Sequence, residues 1–361
     1  MFLGFGEVMM RIAPADKLRL RQVLPGRVEV TWGGGEANVC ASLAMLGNTV
    51  RYVTALPENA LADCLVASLR GLGVDTSEIL VRPGRLGVYY VECGANQRGS
   101  TVLYDRGHSS VSLAEAAEYD FASILEGVHW LHVSGITPAI SEEACEANLA
   151  LLQVARTAGV KISCDLNYRG KLWKWHAEKT GKELARECMA EVLPLVDLVI
   201  GNEEDAADVL DIHPVGTDVA VGELNIVGYE NVARQIVRRY DNVSRVAITL
   251  RESITADHNN WGAMLLDVAE DQVCFSPLDA TQQYSPFRIG HIVDRVGGGD
   301  SFAAGLLHAL HSDKLQGTQQ IIDFAVAASC LKHSIKGDFS YITEAEVLAL
   351  AGGNASGRVQ R

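Results

Sequence analysis

Positive charge is scarce in this chain: 31 lysines and arginines stand against 45 acids among 361 residues, a formal net charge of −14. A surface of that sign repels nucleic acid and anionic membranes, so neither is an expected partner. Any anion the protein binds has to be held by local cations or by bare backbone. Long apolar runs are missing too. None reaches the ~20 residues needed to span a bilayer, and the opening Met1-Phe2-Leu3-Gly4-Phe5-Gly6-Glu7 carries no basic stretch ahead of an apolar one. A cytoplasmic location is the expectation. The eight cysteines include no C-x-x-C spacing and several fall in apolar stretches, which reads as reduced core thiols rather than a metal centre. The ten histidines form no H-x-x-x-H or H-E-x-x-H pair, so His129, His132 and His333 are read with the rest as structural.

What the chain has is glycine in clusters. Asp294-Arg295-Val296-Gly297-Gly298-Gly299-Asp300-Ser301-Phe302 leads into a small, apolar run in which Phe302, Leu306, Leu307 and Leu310 fall at helical spacing. The first N–H groups of a helix have no partner inside it, and glycines just upstream let an anion approach them. A carboxylate at Asp300 competes for the same field unless it serves to take a proton from a group attacking that anion. The plain alternative is a helix start with a capping acid, common in many folds. A second cluster, Gly33-Gly34-Gly35-Glu36-Ala37-Asn38, opens another small-residue helix through Ala41, Leu43 and Leu46.

With 48% hydrophobic residues, the length allows one large α/β domain with an appendage or two medium domains. Apolar runs at 2–6, 49–54, 129–133, 160–165, 196–200 and 245–250 read as strands. Helical patterns at 61–72, 141–158, 182–193 and 230–240 separate them, with a short one after Asn202 and further helices at 319–334 and 343–351. Strands separated by helices imply a mostly parallel sheet covered on both faces, with ligands at the carboxyl ends of its strands. Four alternating stretches, 8–12, 28–32, 87–92 and 101–106, read as one small sheet inserted in two pieces, a lid over the site. The division is therefore 1–7, 33–84 and 109–361 for the α/β domain, with 8–32 and 85–108 for the lid. Residues 211–227 and 277–290 read as loops and 352–361 as a mobile tail.

The stretches from Gly33 to Asn38 and from Asp294 to Asp300 resemble the two signatures of the ribokinase-like (PfkB) carbohydrate kinases, and the likeness in order and spacing extends over nearly the whole chain. It is nearest to the 2-keto-3-deoxygluconate kinases within that family. The resemblance implies a ribokinase-like three-layer α/β fold with a small discontinuous β lid. It implies that ATP phosphorylates the 6-hydroxyl of a 2-keto-3-deoxy sugar acid, with Asp300 as base and Gly297, Gly298, Gly299 and Asp300 forming a backbone anion hole. Tyr104-Asp105-Arg106 and Asn167-Tyr168-Arg169 match the family's grip on the acid, through arginine forks that lysine cannot reproduce. Gly34, Asn38, Tyr89 and Asp294 complete the implied substrate site, and Ser134 to Pro138 form a wall. Asn202, Thr249, Arg251, Ser253, Gly297, Gly299, Ala328 and Lys332 are the implied nucleotide contacts. Asn202, Glu204 and Asp205 match the motif that organises magnesium through water. A monovalent cation is a further candidate cofactor, and pairing of two lids suggests a homodimer.

The chain departs from the family pattern in places. Arg295 stands for a threonine, Gly298 for an alanine and Asp205 for a glutamate, and no glycine closely follows Arg251. These departures keep fructokinase-, ribokinase- and 5-dehydro-2-deoxygluconokinase-type activities open. A dinucleotide-binding dehydrogenase is disfavoured because Gly4-x-Gly6 lacks the third glycine, and a non-catalytic sugar sensor because Asp300 is retained. Beside a helix N-terminus, Asp300 is expected to have a low pKa.

Overall fold

In the larger layer, strand residues alternate between two buried faces, as a two-residue repeat requires. Leu3, Phe5, Leu131, Val133, Ile162 and Cys164 join one apolar cluster, while Phe2, Trp130, Leu198 and Ile200 join the other. The computed structural model describes residues 1–213 and 226–354. Most of the loop expected at 211–227, and the tail beyond 354, lie outside them.

Among the described residues the main sheet has ten strands. Its path runs Gln272–Ser276, His258–Asp267, Arg245–Thr255, Leu198–Gly201, Lys161–Asp165, Trp130–Ser134, Phe2–Phe5, Val50–Val53 and Val74–Asp75, with Phe287–Ile289 paired beside His258–Asp267. From Arg245–Thr255 to Val74–Asp75 every neighbour is parallel. Helices Glu142–Thr157, Gly181–Val192 and Ile226–Arg239 cover one face with Leu151, Met189 and Ile236. Gly35–Met45, Ala60–Gly71, Gly298–His311 and Thr318–Lys332 cover the other with Val39, Leu65, Phe302 and Val326. Caps define several of these starts: Ser141 accepts from the Ala144 N–H, and Thr180 and Asn202 each form a capping box. Phe302 is fully buried, and truncating such a side chain costs about 3–5 kcal/mol.

The four alternating stretches form a separate sheet in the order Glu29–Gly33, Met9–Ala13, Val88–Glu92, Thr101–Asp105. Its central pair, Met9–Ala13 with Val88–Glu92, is parallel, and both outer pairs are antiparallel.

The mostly parallel main sheet also carries an antiparallel edge that the apolar runs did not announce. The hairpin of His258–Asp267 and Gln272–Ser276 turns at Val268-Ala269-Glu270-Asp271, which contains neither glycine nor proline, so the usual hairpin cue is missing. Asp271 supplies the left-handed residue instead, at φ 44°. The stretch 277–290, expected to be loop, contributes Phe287–Ile289 to the sheet.

Candidate active site

A cavity of ≈ 470 Å³ opens where the carboxyl ends of the main strands face the inner side of the small sheet. Glu7, Ile136, Asp165, Asn167, Gly201 and Asn202 line it from the strand ends, and Met9, Tyr89, Val102 and Tyr104 from the small sheet. Both glycine clusters reach it through Gly34, Gly35, Gly297, Gly298 and Gly299.

Gly297 precedes the helix Gly298–His311 with φ 82° and no side-chain cap. Only glycine takes that left-handed conformation freely, and a Cβ here would overlap the Asp338 carbonyl. The bare first turn of the helix therefore stands at the cavity wall. Gly34 is needed for a different reason: its backbone lies so close to Glu7 and Val8 that a Cβ would strike the Glu7 carbonyl.

Asp300 lies in the first turn and keeps part of its surface open to the cavity. Its pKa is raised to about 7, chiefly by desolvation, with repulsion from Asp338 adding and the hydrogen bond from Asn38 opposing. The low value expected from the helix dipole is thus corrected: desolvation outweighs the dipole. Asn38 lines the cavity, but its amide Nδ2 donates to Asp300 Oδ2 at 2.7 Å, so it orients this carboxyl.

Arg106 reaches the cavity from just beyond the last lid strand and is paired with the buried Glu7, its guanidinium 5.7 Å from the Tyr104 ring centroid. Among the described residues its buried Nε has no hydrogen-bond partner, and neither has Oδ1 of Asn167. Asn167 sits at φ 35° after the strand Lys161–Asp165, with Nδ2 3.4 Å from Asp165 Oδ2. Arg169 is exposed at the cavity edge, and its charge lowers the pKa of Asp165, Asp205 and Asp300. Tyr89 also lines the cavity, and its hydroxyl donates to Asp338.

Asn202 and Asp205 are largely occupied with each other. Asn202 Oδ1 accepts from Asp205 N at 2.8 Å, and Asp205 accepts from Asn202 N and from Tyr168 N at 3.0 Å. Burial nevertheless raises the Asp205 pKa to about 6. Glu204, by contrast, is exposed at the cavity. Among the described residues no cluster of three or more acidic, histidine or cysteine side chains could hold a metal. Thr249 and Arg251 line the same cavity.

Four residues expected at the site do not line the cavity. Asp294 is buried and engaged by Arg11, Val296 N and Gly337 N. Lys332 is fully buried, with Nζ turned to backbone carbonyls. Ala328 is buried where Gly305 crosses it, and Ser253 is exposed outside the cavity lining. Conversely, Glu7, Asp165, Asp338 and Arg295 line the cavity without having been singled out for it. Asp165 was legible in principle, lying two residues before Asn167 at the strand end. Burial, with Asp205 and Asp300 nearby, raises its pKa well above the usual range. Glu7 and Asp338 had no local signal.

A three-layer α/β protein with a bare glycine-preceded helix end, a poised carboxyl and arginines around one cleft has the parts of a phosphotransferase. Residues 3–227 match the model of the pfkB family carbohydrate kinases. The chain is similar to the 2-dehydro-3-deoxygluconokinase of Thermotoga maritima, whose crystal structure superposes with a TM-score of 0.86 at 41% identity over 98% of this chain and 99% of that one. It is 28% identical over 352 residues to the 2-dehydro-3-deoxygalactonokinase of Haloferax volcanii, covering 97% of this chain and 96% of the relative. It is 25% identical over 356 residues to fructokinase-1 of Zea mays, covering 96% of each. The chain belongs to the pfkB family of carbohydrate kinases and has the ribokinase-like fold. No helix among the described residues is long and apolar enough to cross a membrane.

Proposed function

We propose that this kinase transfers the γ-phosphoryl group of ATP to the 6-hydroxyl of a 2-keto-3-deoxy sugar acid, 2-keto-3-deoxygluconate first among them, in the cytoplasm. The observation that carries the reading is the pair of unpartnered buried atoms at the cavity, Arg106 Nε and Asn167 Oδ1. Leaving such groups unpaired costs about 1–3 kcal/mol each, a cost relieved by a ligand that accepts from one and donates to the other. A hydroxylated carboxylate does both. One ion pair to Glu7 leaves Arg106 further donors for the acid, and Arg169 supplies a second guanidinium. The names of the Thermotoga and Haloferax relatives agree with this class while differing in the sugar.

In the transfer, the sugar oxygen bonds to the γ-phosphorus as the bond to the bridging oxygen of ADP breaks, and the hydroxyl proton passes to Asp300. A carboxylate with a pKa near 7 accepts that proton far better than an ordinary aspartate. The transition state is loose, so positioning and charge stabilisation dominate. The N–H groups from Gly297 to Asp300 stabilise the oxygens of the moving group, and the small sheet acts as the lid that excludes water. Thr249 and Arg251 contact the donor nucleotide. Magnesium, when bound, neutralises charge on the donor phosphates. Glu204 and Asn202 suit such an ion through its waters, and Asp205 supports them from within the helix.

The outer face of the lid carries Val30 and Leu103, 52% and 63% exposed. We infer a homodimer through that face. One observation favours a second reading: Glu7 already neutralises part of Arg106, which suits a neutral sugar such as fructose. ADP release measured with gluco- and galacto-configured 2-keto-3-deoxy acids, fructose, ribose and 5-dehydro-2-deoxygluconate separates the two. Turnover restricted to neutral sugars would reject the sugar-acid reading.

A further inference from the structure

Behind the glycine turn lies a second charge cluster that the proposed transfer does not use. Arg11, in the lid strand Met9–Ala13, donates to Asp338 Oδ1 and to Asp294 Oδ2, each at 2.6 Å, and all three side chains are at most 4% exposed. Asp294 also accepts from Gly337 N at 3.1 Å. Lys332, at the end of the helix Thr318–Lys332, is 0% exposed, and its Nζ donates to the carbonyls of Ile335 at 3.1 Å and Gly337 at 2.8 Å. Its stem lies under the turn: a Cβ on Gly297 would come within 3.2 Å of Lys332 Cε, while the Asp338 carbonyl blocks the same space. The backbone at 335–338 is therefore both the seat of the ammonium and the floor beneath Gly297.

Lysine is among the side chains least often buried, and packing alone would be served by leucine or methionine. Burial pulls the Lys332 ammonium below its ordinary pKa, while the carboxylates of Asp294 and Asp338 oppose the shift. With Arg11, the cluster holds two cations against two carboxylates and so balances. Backbone carbonyls in negative surroundings, all oxygen ligands, are also what a free monovalent cation takes. Here an ammonium on a covalent stem already fills the place.

We propose that Lys332 is a positioning residue whose ammonium serves as a tethered monovalent cation, holding residues 335–338 in the shape that supports Gly297 and the anion hole, so that this chain needs no free monovalent cation for transfer. Its effect on turnover rests on the kinase reading above. Its effect on the fold does not.

The test uses the full chain. Wild-type protein assayed with tetramethylammonium salts only, magnesium apart, is expected to keep its kcat within about twofold of the value in potassium. A rise of about tenfold or more on adding potassium or ammonium overturns the proposal. Lys332→Ala is expected to lose at least about tenfold in kcat, with KM for both substrates within about threefold. Ammonium or methylammonium is expected to restore most of that loss, and tetramethylammonium, too large for the vacated space, none. An unchanged kcat, or a loss that no small cation relieves, overturns it. Lys332→Met fills the space without charge and is expected to lose kcat without rescue; wild-type kcat in that variant is a contrary result.

A further readout needs no turnover. With no substrate present, the Tm of Lys332→Ala should rise with methylammonium but not with tetramethylammonium, and the wild-type Tm should respond to neither. Equal responses in both proteins overturn the proposal. If no sugar releases ADP with the wild type, the kinase reading fails, and the melting data still decide on the ammonium. If Lys332→Ala does not fold, the wild-type cation series and Lys332→Met decide.

Discussion

The amide of Asn38 donates to Oδ2 of Asp300 at 2.7 Å, so one glycine-led helix holds the proposed base carried by the other. The acid limb of kcat/KM should therefore rise with pH through about 7, where Asp300 loses its proton. Asn38→Ala removes a bond that favours the charged form and should move that limb upward by roughly 0.5–1 pH unit. An unmoved limb would detach Asp300 from the proton transfer.

Asp300→Asn should lower kcat by roughly 10²- to 10⁴-fold with little change in substrate binding. The same substitution should show in melting curves. The folded pKa of Asp300 lies above its ordinary 3.8, so the stability contributed by its neutral form is present below about pH 4 and is lost as pH rises through about 7. Asp300→Asn should accordingly melt higher than wild type at pH 8 and no higher at pH 4.

Arg106→Ala and Arg169→Ala should chiefly raise KM for the sugar acid, each by about 1.5–3 kcal/mol or roughly ten- to a hundredfold. Steady-state kinetics on a neutral-sugar comparison substrate should show a much smaller effect. Equal losses on both substrates would mean that the guanidinium groups do not read the carboxylate.

Glu204 and Asp205, adjacent in sequence, should separate cleanly. Glu204→Gln should leave Tm unchanged and raise the magnesium concentration needed for half-maximal rate. Asp205→Ala strips acceptors from Tyr168 N and Asn202 N and should cost about 1–3 kcal/mol of stability, read in a denaturant titration. A fall in stability for Glu204→Gln would contradict its exposure at the cavity edge.

Leu103→Lys places a charge on the exposed outer face of the lid. Sedimentation velocity should show dimers for the wild type and monomers for this variant, with Tm within a few degrees. A wild-type monomer would remove the lid interface.

Much of this architecture was legible from periodicity. The parallel core announced itself as short apolar runs spaced by helices, and both halves of the lid as alternation, because those patterns are local. The arginines at 106 and 169 were singled out by their resemblance to the family's motifs; position alone reads each as an ordinary surface arginine. What stayed hidden depends on contacts distant in sequence: the partnership of Glu7 with Arg106, and of Arg11 with Asp294 and Asp338, 283 and 327 residues away. Lys332 shows the same limit: expected at the nucleotide, its ammonium instead meets a segment folded under the helix end, which no local pattern announces. The pKa of Asp300 was misjudged for a related reason: a helix dipole is visible in one segment, whereas desolvation is the work of many.

The parallel pairing of Met9–Ala13 with Val88–Glu92 joins two excursions of the chain that begin far apart. Deleting either excursion would strand the other with a raw hydrogen-bonding edge, a site for aggregation. The cover over the cleft is thus inseparable in a modular sense: it can be grafted, trimmed or lost only as both pieces together.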